Sequence, residues 1–249
     1  DLLADDDVTE VVLSLPAGVK AEAADFKLPA KALTVLREAG KPVRVEFSGV
    51  RLVIPAQAFA GITEDVVIAI APVEERAEAP APGFTAAGPV VDIEVTTSRG
   101  AVVFSQRVAL ALPYDEKALG KAPAWSLGVY RLNEATGEWV FVGGKVDQRA
   151  GTVSAMLPGF SRYTVMAYQK TFADIQGHWA RMDIELMASK HVARGVSASA
   201  FAPDAEVTRA EFTALLVRAL GIADVKPAAP RFSDVPAGHW AYSAIEAAA

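Results

Sequence analysis

The chain has 249 residues, 52% of them hydrophobic and 22% charged, which suffices for the cores of about two domains, or three small ones. A net charge of −6 and a pI near 5.2 argue against a nucleic-acid binder or electrostatic attachment to acidic lipid, while leaving room for a local basic pocket that takes an anionic sugar. No apolar run reaches the roughly 18–20 residues of a membrane span, and the absence of cysteine excludes a disulfide framework, a thiolate nucleophile and a Cys-based zinc site.

In chain order, the acidic start Asp5-Asp6-Asp7 lacks the alternating spacing and closing Glu of a calcium loop and reads as a solvated tail. Residues 8–15, 43–47, 50–54 and 66–71 are β-branched-rich runs bounded by Pro, Gly or acidic residues, the pattern of strands. Between them Pro29 to Gly40 has the start and stop punctuation of a helix, echoed on a smaller scale by Pro55 to Gly61. These elements predict a small mixed α/β module over 1–73. The Ala-, Pro- and Glu-rich segment 74–83 then reads as a linker.

Runs at 90–97 and 101–112 flank the turn Ser98-Arg99-Gly100, and runs at 127–132 and 138–142 flank Asn133 to Gly137. With a third pair at 152–157 and 163–168, they predict an antiparallel β-sandwich over 84–168. Beyond Lys170 the apolar period changes from about 2 to about 3.6, so the remainder is helical. The expected fold class is therefore α+β multidomain: mixed module, β-sandwich, helical module. The chain opens at Asp1 without a signal-peptide apolar region and closes in what reads as an unfinished helix, so it is expected to be part of something longer.

The helical part repeats itself. Phe172-Ala173-Asp174-Ile175 recurs as Phe232-Ser233-Asp234-Val235, and His178-Trp179-Ala180 as His239-Trp240-Ala241. Thr208-Arg209-Ala210-Glu211 has the spacing of a capping box. Phe212, Leu215, Leu216, Ala219 and Leu220 behind it form an apolar stripe, and Gly221 ends the helix. Ile184 and Met187 are the expected buried residues of the preceding helix.

The pattern Phe172, Asp174, Trp179, Gly195, Phe201, Pro203 and Thr208–Phe212 resembles the S-layer-homology (SLH) repeat, with one copy over 172–221, a linker over 222–231 and a truncated second copy over 232–249. The resemblance implies a helical module whose grooves bind secondary cell-wall polysaccharide, often pyruvylated. The expected function is non-covalent, peptidoglycan-associated anchoring of a secreted surface or S-layer protein, with β-domains as spacers. The alternative is the tether of a larger exported polysaccharide-degrading enzyme. Carried over by residue, Arg209 would meet a sugar carboxylate with its planar fork, aided by the helix N-terminus. Thr208, Glu211, Asp174, Trp179, Asp234 and Trp240 are the other candidate polysaccharide-binding residues. Each has a structural alternative: a cap for Thr208, Glu211 and Asp174, core packing for the two tryptophans.

The residues before the helical part loosely resemble ZU5-type β-sandwiches. Some such domains cleave themselves at a His-Phe-Ser step, but here the step is Gly159-Phe160-Ser161 and its base is missing. None of His178, His191 and His239 has metal-site spacing, and His191 reads as an exposed residue near a helix end. There is no phosphate-binding glycine loop and no nucleophile elbow. The chain is expected to be no enzyme, to need no cofactor or metal, and to act at the wall surface outside the cell.

Overall fold

The computed structural model describes residues 8–16, 19, 21–74 and 77–249; the Asp5-Asp6-Asp7 tail lies outside them. The chain divides into two compact units, residues 1–168 and 169–249.

The first unit contains strands β1 (Val11–Ser14), β2 (Ala24–Leu28), β3 (Val43–Phe47), β4 (Val50–Ile54), β5 (Val66–Val73), β6 (Phe84–Ala86) and β7 (Val90–Thr97). These are followed by β8 (Gly100–Ala101), β9 (Val108–Pro113), β10 (Leu127–Asn133), β11 (Glu138–Gly143), β12 (Lys145–Asp147), β13 (Thr152–Leu157) and β14 (Arg162–Tyr168). Helices α1 (Ala30–Ala39) and α2 (Glu116–Leu119) are the connections with α-helical geometry. Among the described residues one sheet runs β1-β3-β4-β9-β13-β12, and the other runs β11-β10-β14-β7-β5-β2 with β6 beside β14 and β8 beside β7. Pairing is antiparallel throughout, except that β1 lies parallel to β3.

Both sheets mix strands from 1–73 with strands from 84–168: β4 pairs with β9, and β5 with β7. One apolar core accordingly joins Leu33, Val45, Leu52 and Ile70 to Ile93, Leu110, Val129 and Val165. The segments expected as a mixed module and a separate sandwich are interleaved parts of one body. The Ala/Pro/Glu stretch does not separate two bodies, since Ala77 within it is buried in a cluster with Val90, Tyr130 and Met166, and periodicity does not reveal which strand a strand pairs with. The pairing expected between 152–157 and 163–168 is absent for the same reason: β13 and β14 lie in different sheets.

Local rules hold inside this frame. Alternation sets the burial pattern of β3 (Val43, Val45 and Phe47 inward) and of β5 (Val66, Ile68 and Ile70 inward). Helix α1 follows Pro29 and closes on Gly40 in the left-handed region at φ 65°. The Arg37 guanidinium holds it in place by donating to the carbonyls of Phe59 and Ile62 at 3.0 and 2.9 Å.

The second unit comprises α3 (Arg181–Ser189), α4 (Arg209–Ala219) and α5 (Tyr242–Ala248). Phe172, Ile175, Ile184 and Ala188 form one small core, with Phe201 packed against it. Gly195 sits over Phe172 at φ +78°: a Cβ there would stand 2.4 Å from the ring and 2.7 Å from the Ala200 carbonyl oxygen. Met187 is 42% exposed, not buried as expected.

The predicted stripe on α4 faces outward: Phe212, Leu216 and Leu220 are 58%, 46% and 62% exposed. The buried face is Ala214 and Val217, which pack on Ala244 of α5. Small side chains let two helices approach closely, so the narrower Ala face makes the contact while the bulkier one stays open.

Val217→Ala should destabilise the helical unit by roughly 1.5–3 kcal/mol, and Leu216→Ala by no more than about 0.5 kcal/mol, in chemical denaturation followed at 222 nm. Equal losses would place the buried face wrongly. Gly195→Ala should cost roughly 2–5 kcal/mol from left-handed strain and overpacking together, read in the same melt.

Candidate ligand-binding surface of the helical unit

Phe172 opens a 3-10 turn over residues 173–175 and is 1% exposed. The Asp174 carboxylate that follows accepts from the Phe201 amide at 2.9 Å and from the Ala202 amide at 2.7 Å. Those bonds hold the Asp174 pKa below the usual carboxylate range. Ala202 has φ 61°, a left-handed geometry that costs an L-residue about 1–2 kcal/mol. Two further bonds stitch the loop down: Ala173 N to the Ser199 carbonyl at 2.8 Å, and Lys170 Nζ to the Ala198 carbonyl.

The loop delivers the chain to Thr208, whose hydroxyl accepts from Glu211 N at 3.2 Å while Glu211 Oε2 accepts from Thr208 N at 2.8 Å. The capping box read from the sequence is thus formed, and these bonds lower the Glu211 pKa. Arg209, the first residue of α4, is exposed, and its guanidinium has no partner among the described residues. Thr208 and Glu211 build the helix start; Arg209 is left over as a free cation on it.

In both copies of the repeat the histidine before the tryptophan caps a helix, a role that sequence reading missed. His178 Nδ1 accepts from Ala180 N at 3.1 Å, and His239 Nδ1 accepts from Ala241 N at 3.2 Å. The proton of His178 is therefore on Nε2, 3.3 Å from Asp204 Oδ1. The shared spacing of His to Ala two residues on was the available signal. Each cap turns the following ring outward, leaving Trp179 87% and Trp240 60% exposed. Neither ring fills a core.

The copies differ at their acids. Asp234 is exposed and accepts no amide among the described residues, and Phe232 is 40% exposed where Phe172 is closed off. His191 is half-buried at φ 57° and not exposed as expected; burial, with Arg194 beside it, lowers its pKa to about 4. Burial also lowers Lys190 to about 8. At the Gly159-Phe160-Ser161 step of the first unit, the Ser161 hydroxyl lies 3.1 Å from the Leu132 carbonyl oxygen and 3.4 Å from Glu134 Oε1. Tyr163 donates to the Gly159 carbonyl. Among the described residues no group of three or more His, Asp or Glu side chains could hold a metal ion, and no helix is long and apolar enough to cross a membrane.

His191 titrates near 6.5 when unfolded and near 4 when folded, so its contribution to stability is complete above about 6.5 and lost as pH falls toward 4. The lowered carboxylates of Asp174 and Glu211 contribute above about 4 and lose their effect below it. The helical melting temperature should therefore fall in two stages on acidification. His191→Gly should remove the first stage, and Asp174→Asn should shrink the second; a single drop below pH 4 in the parent chain would contradict this.

Against known proteins, residues 171–213 match the model of the S-layer homology domain. The chain is 40% identical over 159 residues to an amylopullulanase of Thermoanaerobacterium thermosulfurigenes, covering 64% of this chain and 8% of that protein. That stretch is longer than the helical unit, so the likeness extends into the β unit. Over 78 residues it is 45% identical to endo-1,4-beta-xylanase A of Thermoanaerobacterium saccharolyticum (31% of this chain, 7% of the relative). Over 72 residues it is 40% identical to the cellulosome-anchoring protein of Acetivibrio thermocellus (29% and 16%). The chain thus spans less than a fifth of each of these relatives. The capped arginine helix, the carboxylate-held loop and the outward tryptophan are the local geometry of the matched segment, and residues 171–213 are an S-layer homology domain.

Proposed function

We propose that this chain anchors an exported protein non-covalently to the cell wall by binding secondary cell-wall polysaccharide through its helical unit. The observation that carries the reading is Arg209: a cation on the first residue of a capped helix, with no partner among the described residues, beside amide donors that also favour an anion. Its fork suits the carboxylate of a pyruvylated sugar. Trp179 and Trp240 add exposed faces on which a sugar ring can stack. Asp234, without an amide partner, is available to sugar hydroxyls, whereas Asp174, Thr208 and Glu211 support the surface by shaping the loop and the helix start.

In this reading the β unit is a spacer, and catalysis, where the whole protein has any, resides outside this chain. A second reading is favoured by the relatives whose names are those of polysaccharide-degrading enzymes: this piece tethers such an enzyme to the wall. Both place the protein outside the cell at the wall surface, and both rest on the same binding step.

The chain should co-sediment with purified Gram-positive sacculi, and binding should disappear after hydrofluoric-acid extraction of the secondary polymer. Arg209→Ala should weaken binding at least tenfold while leaving the melting temperature nearly unchanged. Binding that survives extraction, or is indifferent to Arg209, would overturn the proposal.

A further inference from the structure

The outer face of the eight-stranded sheet carries a second arrangement suited to a ligand. Trp139 on β11 stands opposite Leu132 on β10. Arg131 pairs with Tyr163, so the next residues along, Leu132 and Arg162, come side by side. Arg162 in turn pairs with Asp92 on β7. Trp139, Leu132, Arg162 and Asp92 therefore form one row across four strands. Neighbouring strands are about 4.8 Å apart, so the row is roughly 14 Å long, enough for a few sugar rings.

Strand alternation puts the row on the face that carries the second apolar cluster: Ala77, Val90, Tyr130 and Met166, with Phe84, Trp139 and Phe141 packed on it. The Phe141 ring lies over Gly128, where a Cβ would come within 2.4 Å of it, and meets Tyr130 edge-on at 5.5 Å. Trp139 is thus half-buried on a fixed aromatic bed. Above the Trp139, Leu132 and Arg162 part of the row is an open cavity of about 480 Å³, lined also by Val90, Ala77 and Glu78, within the size range of small-molecule sites. Arg162 meets Asp92 at only 3.5 Å and its side chain is 46% exposed, so its guanidinium retains bonding capacity toward the cavity that it lines.

A pyranose has an apolar C–H face and a hydroxyl edge. The tryptophan suits the first; the arginine, oriented by Asp92 and with Glu78 as an acceptor, suits the second. Among the described residues here, one cation beside two acids gives no preference for an anion, unlike the start of α4. An apolar peptide would strip water from the Arg162–Asp92 pair without replacing its hydrogen bonds. We propose that this row is a glycan-binding site separate from the helical unit, taking a chain of uncharged pyranose residues.

The test is affinity electrophoresis of the Arg209→Ala chain, which silences the helical reading, in native gels containing soluble starch, xylan or released wall polysaccharide. Retardation in at least one gel is expected, and the gel in which it occurs tells an extracellular glycan from the wall polymer. Trp139→Ala should weaken retardation at least tenfold. Because Trp139 also packs on the aromatic bed, the double variant Arg162→Gln/Asp92→Asn serves as a second probe, with an unchanged melting temperature and the same loss expected. No retardation in any gel, or retardation that both variants leave intact, would overturn the proposal.

Discussion

The carboxylate of Asp174 takes the amides of Phe201 and Ala202, residues more than two dozen positions away in sequence, and the form of the helical unit depends on that clasp. Ala202 is left-handed there, a geometry that an alanine adopts only when its surroundings impose it. The bonds of Ala173 to Ser199 and of Lys170 to Ala198 lie alongside, so the loop is held at several points near its turn. Phe172 closes beneath it, against Phe201 and the bare face of Gly195. With the loop fixed, Thr208 arrives where its hydroxyl can cap α4, and the first residue of that helix is Arg209. The free cation is a consequence of local geometry whose other polar members are occupied with one another.

The β unit reaches its stability differently. Its contacts are long-range in sequence: β4 on β9, β5 on β7 and β9 on β13. No segment of it can bury its apolar face alone, which is why strands from either side of the 74–83 crossing share one core. The same topology brings β11, β10, β14 and β7 together in order and assembles a row of side chains that are scattered in the sequence from Asp92 to Arg162.

What was legible in the sequence was local. The strands at 43–47, 50–54 and 90–97, the helix between Pro29 and Gly40 and the capping box at Thr208 and Glu211 follow from alternation and punctuation within a few residues. The repeat signalled the S-layer homology domain because spaced identities survive without knowledge of the fold. Partner choice was not legible. The apolar stripe of α4 reads correctly as amphipathic, yet Ala214 and Val217 are buried, since only the position of α5 decides which face is used. Asp174 could be read as a local cap, but not as a clasp on a distant loop. The His cap was visible only as a repeated spacing whose mechanism needs the ring nitrogen placed against an amide.

The most direct measurement of wall recognition is the side-chain NMR signal of the Arg209 Nε–H during titration of the chain with purified secondary cell-wall polysaccharide. A saturable shift of that signal, absent when the same polymer has been stripped of its pyruvyl groups by mild acid, is the expected result. A signal that stays still while the polymer binds elsewhere, or moves equally with the stripped polymer, would contradict a carboxylate held by Arg209.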